Sequence, residues 1–275
     1  MKKSEAKVNK EKQMKPAKEK YVEIGSLVGD GIDYHVYHMK SMDYVISVLL
    51  GVVVAFIVIY VFFENAVVAL VVGIVCGFFV IKPYEKYLLE KRKKTLLLQF
   101  KDLLEALSGS YSAGRNTAGA FEDALHDMQI LFGENSYICQ ELRIINAGLK
   151  NNINIEELLV NLSDRTDLED VASFAEIFRT GNRLGSNIKD IVSQTREIIN
   201  DKMEVEMEIE TMVTGPKTEL YIMTVMPIVV VFSLRLLGQE SLSATNVTNI
   251  IIRIVVLIVM VGAFLIGKKI TDIKA

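Results

Sequence analysis

The sequence has few residues of the kinds that bind metals or carry nucleophilic chemistry. It contains two cysteines and three histidines in 275 residues. Cys76 lies in an apolar run and Cys139 in the polar middle of the chain, so we expect neither a disulfide nor a cysteine metal cluster. The chain also lacks a GxxxxGK[ST] phosphate loop, which excludes ATP hydrolysis by that route.

The other candidate groups do not predict an active site. His35 and His38 are near enough in sequence to share a metal ion, but no cysteine or acidic cluster accompanies them. Glu122, Asp123 and Asp127 could be taken for acid–base catalysts, yet acidic residues at this spacing are typical of a solvated helix face. We therefore predict no enzyme activity and no catalytic, cofactor-binding or metal-binding residues.

Charge is distributed unevenly along a chain whose formal net charge is only −3. Residues 1–20 hold eight lysines against three glutamates. Residues 95–217 hold 11 lysines and arginines against 21 aspartates and glutamates, a net charge of −10. Such an acidic region repels nucleic acid and anionic lipid, so we predict no nucleic-acid partner and expect a basic protein surface instead.

Long uncharged apolar runs are the strongest signal in the sequence. Each is close to the length needed to cross the roughly 30 Å hydrocarbon core of a bilayer. The first two are separated only by Glu64 and Asn65, which predicts a hairpin with a very tight turn. The four predicted spans are about 44–63, 66–81, 218–237 and 250–267.

Small residues and arginines within the spans carry two further predictions. Gly51 with Ala55 and Gly73 with Gly77 form small-xxx-small pairs, which let helices approach closely. Arg235 and Arg253 lie near the ends of the last two spans, so we expect both side chains to snorkel to the same membrane surface.

Basic residues predict the orientation of the chain in the membrane. Lysines cluster before the first span, after the second, before the third and after the fourth, and all these segments lie on one side of the membrane. That side should be the cytoplasm. We predict a basic, largely disordered tail over 1–43, a cytoplasmic domain over 82–217 and a cytoplasmic tail over 268–275. The Lys-rich tail has two interpretations, contact with anionic lipid or simple solubilisation.

The region between the hairpins reads as about six helices. Apolar residues recur at three- and four-residue steps, as in Leu96, Phe100 and Leu103. Gly114-Arg115-Asn116 and Leu184-Gly185-Ser186-Asn187 predict breaks, with Asn187 as a helix N-cap. We also expect Asn154 with Glu157 to form a capping box and Asp167 with Asp170 to open the next helix. The fold class is therefore all-α, with four transmembrane helices flanking this bundle.

One segment conflicts with the helical pattern. Residues 203–210 alternate apolar and acidic side chains with a period of two, which is typical of a strand. A helix would stack Glu204 on Glu208 and Glu206 on Glu210, at a cost of a few tenths of a kcal/mol per pair. We nevertheless predict a helix, because glutamate and methionine are strong helix formers and a lone strand would have no neighbour.

Several short motifs together resemble the type II secretion F family, in its TadB-like branch from Gram-positive, clostridium-like bacteria. Each motif is weak alone, but their order and spacing over residues 33–235 are fairly specific. Two features depart from the family pattern: Ser186 replaces a second glycine, and Pro216 is not expected at its position. The similar segments are Asp33-Tyr34-His35-Val36-Tyr37, Leu98 to Leu104, Ser112-Ala113-Gly114, Phe174 to Phe178, Arg183 to Ile188, Ile198 to Lys202, the stretch ending at Thr211, and Pro227.

The resemblance implies a scaffold in the cell membrane. Such proteins act as platforms for Flp/Tad-type pilus assembly or type II-like secretion. They are paired with a TadC-like platform protein, docked by a cytoplasmic secretion ATPase and contacted by pilin subunits. By this resemblance the chain should need no cofactor and should form homo- or hetero-oligomers in the lipid bilayer.

Other functions remain open at the level of sequence. A membrane-anchored signalling protein also joins paired spans to a helical cytoplasmic domain, but it would need an outer ligand-binding part. A small transporter would need ionisable residues at mid-depth in the spans, and these apolar runs have none there. A membrane enzyme is the third alternative.

Overall fold

The computed structural model describes residues 23–184, 187–237 and 247–271. The described residues form helices and connecting loops, with no strand among them. This confirms the predicted all-helical class. In chain order the helices are α1 (Ser41–Phe63), α2 (Ala66–Ser112), α3 (Thr117–Phe132), α4 (Tyr137–Lys150), α5 (Ile155–Thr166), α6 (Glu169–Leu184), α7 (Ile188–Leu236) and α8 (Val247–Thr271).

Four of these helices are long and apolar enough to cross a bilayer. They are α1, α2, α7 and α8, and each holds one of the four predicted spans, the third to within one residue of its end. Two of them are far longer than a span: α2 has 47 residues and α7 has 49. At 1.5 Å per residue these helices are about 70 Å long. Each therefore extends roughly 40 Å beyond the thickness of a hydrocarbon core.

The predicted tight turn joins α1 to α2. Glu64 ends α1 in a left-handed conformation, with φ at 56°. Asn65 then caps α2, because its side-chain oxygen accepts hydrogen bonds from the backbone N–H groups of Val67 and Val68. Two residues thus reverse the chain, and some of the backbone N–H groups at the start of α2 still have hydrogen-bond acceptors.

Glycines allow α1 and α2 to lie in close contact. A Cβ atom built on Gly51 would lie 2.8 Å from the Cα of Gly77. One built on Gly77 would lie 3.0 Å from the carbonyl oxygen of Val48, and one on Gly73 would lie 3.2 Å from that of Val52. Three of the four residues in the predicted small-xxx-small pairs therefore pack as expected.

A buried hydrophobic core lies beyond the apolar spans. It is built from one face each of the distal half of α2, of α3 to α6, and of the first part of α7. The predicted helical spacing is confirmed for Leu96, Phe100 and Leu103, which are buried. The ring of Phe174 packs edge-on against that of Phe100, with centroids 5.6 Å apart. Ile177, three residues after Phe174 on the same helix, is 44% exposed.

Helix ends differ in two places from the predictions. Asp167 does not open α6; it ends α5 in a left-handed conformation (φ 51°), and α6 begins at Glu169. Aspartate tolerates this conformation better than most residues, so it suits a helix C-terminus as well as an N-cap. Asn154 does precede α5, but its side chain makes no capping hydrogen bond, so the capping box is absent.

Other predicted breaks are confirmed where the structure describes them. Asn116 caps α3 by accepting a hydrogen bond from the N–H of Gly119 at 2.8 Å. Asn187 caps α7 by accepting one from the N–H of Lys189 at 3.2 Å. The strand-like residues 203–210 are helical within α7. Gly185-Ser186, the lysine cluster of residues 1–20 and the loop 238–246 lie outside the described residues.

Arg253 corrects the expectation that both arginines snorkel to the membrane surface. Its side chain is only 6% exposed, so protein covers it. Ionisable residues inside spans usually face the helix bundle, and α8 packs against α7 and α1. The side chain of Arg235 lies outside the described part of the structure.

The glycine contact between α1 and α2 predicts the effect of a single substitution. Gly77→Val should lower the free energy of unfolding by about 1–3 kcal/mol, because the new side chain would meet a backbone carbonyl that cannot move away. The melting temperature of the detergent-solubilised protein, read by fluorescence-detected size exclusion, measures this. Gly262→Val in α8 is the matched control, since nothing lies within 4 Å of its added Cβ. Equal melting temperatures for the two variants would contradict the packing role.

Candidate functional site

The acidic residues on α3 are engaged in surface ion pairs. Asp123 contacts Arg115, with Oδ2 and Nε 2.8 Å apart, and Glu122 contacts Lys150 at 3.8 Å. These side chains are largely exposed, as a solvated helix face requires. Asp127 lines a separate surface groove with apolar residues of α3, so the three carboxylates do not converge on one point.

The two candidate histidines are engaged by different carboxylates. Nδ1 of His35 lies 2.9 Å from Asp33, and its Nε2 lies 3.7 Å from Asp167. Nε2 of His38 lies 2.8 Å from Glu23. In the part of the chain that the structure describes, no group of three or more histidine, cysteine, aspartate or glutamate side chains could hold a metal ion.

Residues 23–40, here called the strap, pack against the helical domain. Tyr34 is fully buried in the core, and its backbone N–H donates to the carbonyl of Arg165 at 2.8 Å. The amide of Asn161 donates to the carbonyl of Gly25 at 3.0 Å. The prediction of a largely disordered tail over 1–43 is therefore wrong for residues 23–40. These residues lack helical periodicity, but contacts with α5 fix their position. Residues 1–22 lie outside the described part of the chain.

A buried ion pair holds the centre of the strap. Arg165 of α5 donates two hydrogen bonds to the carboxylate of Glu141 on α4, through Nη1 at 3.0 Å and Nη2 at 2.5 Å. Each side chain is only 1% exposed. The Tyr34 hydroxyl also donates to Glu141, at 3.0 Å. Burial, reinforced by the neighbouring carboxylate, raises the pKa of the Tyr34 phenol, which keeps it protonated and able to donate.

Two further N–H groups of Arg165 are also occupied. Its Nε donates to Asn161 at 3.0 Å, and Nη1 donates to the carbonyl of Ile32 in the strap at 3.0 Å. A buried guanidinium is tolerated only when its hydrogen bonds are satisfied in this way. Tyr34, Glu141 and Arg165, here called the buried cluster, therefore tie three parts of the chain together: the strap, α4 and α5.

Arg92 joins the strap to α2. Its guanidinium lies over two aromatic rings of the strap, 5.3 Å from the centroid of Tyr34 and 4.9 Å from that of Tyr37. Its Nη2 also donates to the carbonyl of Val36 at 2.8 Å. Farther along, the Tyr37 hydroxyl donates to Asp43 in the first turn of α1 at 3.2 Å. The strap thus links the domain core, α2 and the start of α1.

A second polar contact lies beside the strap. Nζ of Lys93 on α2 lies 2.8 Å from Asp167, which also faces His35. The hydrogen bond from Lys93 is the main cause that lowers the pKa of the Asp167 carboxyl. The Asp167 side chain is 60% exposed, so solvent screens much of this attraction.

The long helices α2 and α7 lie side by side between the core and the spans. Lys94 pairs with Glu210 at 3.2 Å, and Glu105 pairs with Arg196 at 3.4 Å. Residue numbers rise on α2 as they fall on α7, so the two helices are antiparallel. We call the segments between the core and the spans, 82–95 of α2 and 203–217 of α7, the stem; Lys94–Glu210 joins its two helices, and Glu105–Arg196 joins them beside the core. The stem connects the domain core directly to the apolar spans.

Surface clefts do not gather the candidate residues into a ligand site. One cleft on the domain, of about 520 Å³, lies between the strap, α5 and α6. Its lining mixes Glu156, Glu157 and Asp164 with Arg179 and Arg183, which gives no consistent preference for a charged ligand. Sequence reasoning missed the buried cluster, because no periodic pattern marks it; Tyr34 alone had been noted, within a motif.

Comparisons with known proteins returned no family model, no curated protein and no solved structure that matches the chain.

The buried cluster predicts a strong coupling between two substitutions. Arg165→Met should lower the free energy of unfolding by about 3–5 kcal/mol, because it leaves the Glu141 carboxylate buried without its cation. The double variant Glu141→Leu/Arg165→Met should be more stable than the Arg165→Met single variant, since no uncompensated charge remains. Denaturant unfolding of the full chain in detergent measures both. Additive losses would show that the two residues do not stabilise each other.

Asp167 predicts a dependence of stability on pH. Its folded-state pKa is lowered, so its contribution is present above the ordinary carboxyl pKa near 3.8 and is lost as pH falls through the folded value. Asp167→Asn keeps the left-handed conformation but removes the charge. The wild type should exceed this variant by less than about 1 kcal/mol at pH 7, and the difference should shrink as pH falls from 4 to 2.5, through and below the ordinary carboxyl pKa of 3.8.

Melting temperatures measured across that pH range check this expectation. Asp164→Asn, which changes an exposed carboxylate one turn earlier on α5, is the matched control. An Asp167→Asn difference that persists unchanged at pH 2.5 would exclude the charge of Asp167 as its cause.

Proposed function

We propose that this protein is a membrane platform of a type IV/Tad-like pilus assembly machine or a type II-like secretion machine. In this proposal it lies in the cell membrane, with both termini and a six-helix domain in the cytoplasm. It couples a cytoplasmic secretion ATPase to the assembly of pilin subunits, alongside a TadC-like second platform protein. The resemblance of its motifs to the secretion F family and the geometry of its long helices support this function.

The observation that carries the proposal is the continuity of α2 and α7. Neither helix ends where its apolar span meets the polar stem: α2 runs from Ala66 to Ser112 and α7 from Ile188 to Leu236. Pro216 and Pro227 lie inside α7 without ending it. Because each helix runs from the domain into its span without a loop, a displacement of the domain moves the span as well. A platform driven by an ATPase requires this.

The distribution of charged and aromatic side chains supports the proposed orientation. Exposed lysines lie where the spans meet the stem, at Lys82 and Lys86 of α2 and at Lys269 of α8. Tyr87 and Tyr221, 58% and 59% exposed, lie at corresponding places on α2 and α7. Tyrosines favour the membrane–water interface, and lysines favour its cytoplasmic side.

The charge of the domain suits the proposed partner. Its net charge of −10 over residues 95–217 favours association with a basic surface, chiefly by accelerating and orienting encounter. The signalling alternative requires an outer part that binds a ligand, and the turn between α1 and α2 has only the two residues Glu64 and Asn65. This turn therefore favours the platform over a receptor.

An insertion in α7 tests the proposal. Four glycines placed after Gly215 should abolish filament assembly or secretion in the cells that make the protein, because they interrupt the helix between the domain and its span. Membrane insertion should be retained. So should co-purification of a secretion ATPase and a second platform protein from gently solubilised membranes, since the domain surfaces are unchanged.

The matched control places the same four glycines after Gly133, in the turn between α3 and α4. This variant should assemble filaments normally, because surface turns tolerate insertions. Normal assembly in the Gly215 variant would count against transmission through α7. Recovery of a response regulator from the wild type, in place of an ATPase, would favour signalling.

A further inference from the structure

One face of α7 carries a regular pattern that the rest of the described chain does not cover. Ile198, Val205 and Met212 follow one another at seven-residue intervals, and they are 60%, 54% and 67% exposed. Asp201 and Glu208 lie between them at steps of three and four residues, and both are exposed. We call these five residues the stripe. The spacing is that of a helix seam that packs against another helix.

The stripe lies off the face through which α7 packs on the domain. On that face Ile199 and Met203 join the domain core, and Glu210 pairs with Lys94 of α2. The stripe occupies a different face of the same turns. It spans 15 residues, about 21 Å from first to last, which is long enough for three to four turns of a partner helix.

Charge decides which kind of helix fits the stripe. A second copy of this chain standing parallel in the same membrane would place Asp201 opposite Asp201 and Glu208 opposite Glu208. Like charges at such positions disfavour pairing, whereas lysine or arginine there would favour it. The apolar residues at seven-residue spacing require a matching apolar seam on the partner.

We propose that the stripe is the docking surface for a basic amphipathic helix of another protein. That helix carries apolar side chains that pack on Ile198, Val205 and Met212, and lysines or arginines that pair with Asp201 and Glu208. This inference depends on the geometry of α7 and not on which machine the protein serves. It also gives the alternating residues 203–210 a role, since one part of that pattern faces α2 and another faces the partner.

A designed peptide tests the chemistry directly. The probe is a labelled 21-residue helix with leucine at every seventh position and lysines placed opposite the two acidic residues, added to the full chain in neutral-lipid nanodiscs. Its affinity, measured by fluorescence anisotropy, should fall at least about tenfold for Asp201→Lys/Glu208→Lys. The control Glu122→Lys/Glu134→Lys changes the net charge equally at two exposed side chains on and just after α3, and should change affinity less than about twofold.

A photocrosslinker at Val205 tests the same surface in cells. The expected product joins Val205 to a helix of another protein whose sequence is basic with apolar residues at seven-residue spacing. Asp201→Lys/Glu208→Lys should abolish this product, and acidic residues at the facing partner positions should restore it. A product with a second copy of this chain, with lipid alone, or with no partner would overturn the proposal, as would equal peptide binding to the two double variants.

Discussion

The structure depends on a requirement that lipid imposes on the backbone. Within the hydrocarbon core every N–H and C=O group must be satisfied inside its own segment, so the four apolar runs are helical. In α2 and α7 the same hydrogen-bond ladder continues past the apolar residues for roughly 40 Å. The domain core is then assembled on those extensions, with Leu96 to Leu107 on one and Val192 and Ile199 on the other. The spans and the domain are therefore parts of the same two helices.

The buried cluster adds a second constraint, because it admits only one position for the strap. The guanidinium of Arg165 is stable in the core only with the carbonyl of Ile32 and the carboxylate of Glu141 in place. The chain beside it must also approach closely. A Cβ on Gly31 would lie 2.8 Å from Nη1 of Arg165, so only glycine fits there without displacement. The net energy of such a buried pair is modest, and its hydrogen bonds join the strap, α4 and α5 in one arrangement.

Periodic patterns made the helical fold predictable, whereas features without a period could not be predicted from the sequence. The core positions Leu96, Phe100 and Leu103 follow from three- and four-residue spacing, and the turn at Glu64-Asn65 follows from two polar residues between apolar runs. The strap has no period, so its docking depends on partners far away in sequence, such as Arg92 and Arg165. Burial of Arg253 depends on neighbouring helices in the same way. Asp167 was assigned to the wrong helix end because aspartate suits both a helix N-cap and a left-handed residue at a helix C-terminus.

Two faces of α7 give the helix a consistent physical role. On one face, Ile199 and Met203 pack in the domain core, and the ion pairs Lys94–Glu210 and Arg196–Glu105 join α7 to α2. A partner helix seated on the stripe would contact α7 on another face of these turns, so it would not compete with α2. Any displacement of that partner would act first on α7. Because the core holds together the ends of α2 and α7 that lie away from the spans, the two helices would tilt as a pair. The spans would follow, since no loop separates them from the stem. A partner bound at the stripe is thus better placed to move the membrane helices than one bound on α3 to α5, which reach the spans only through the core and the strap.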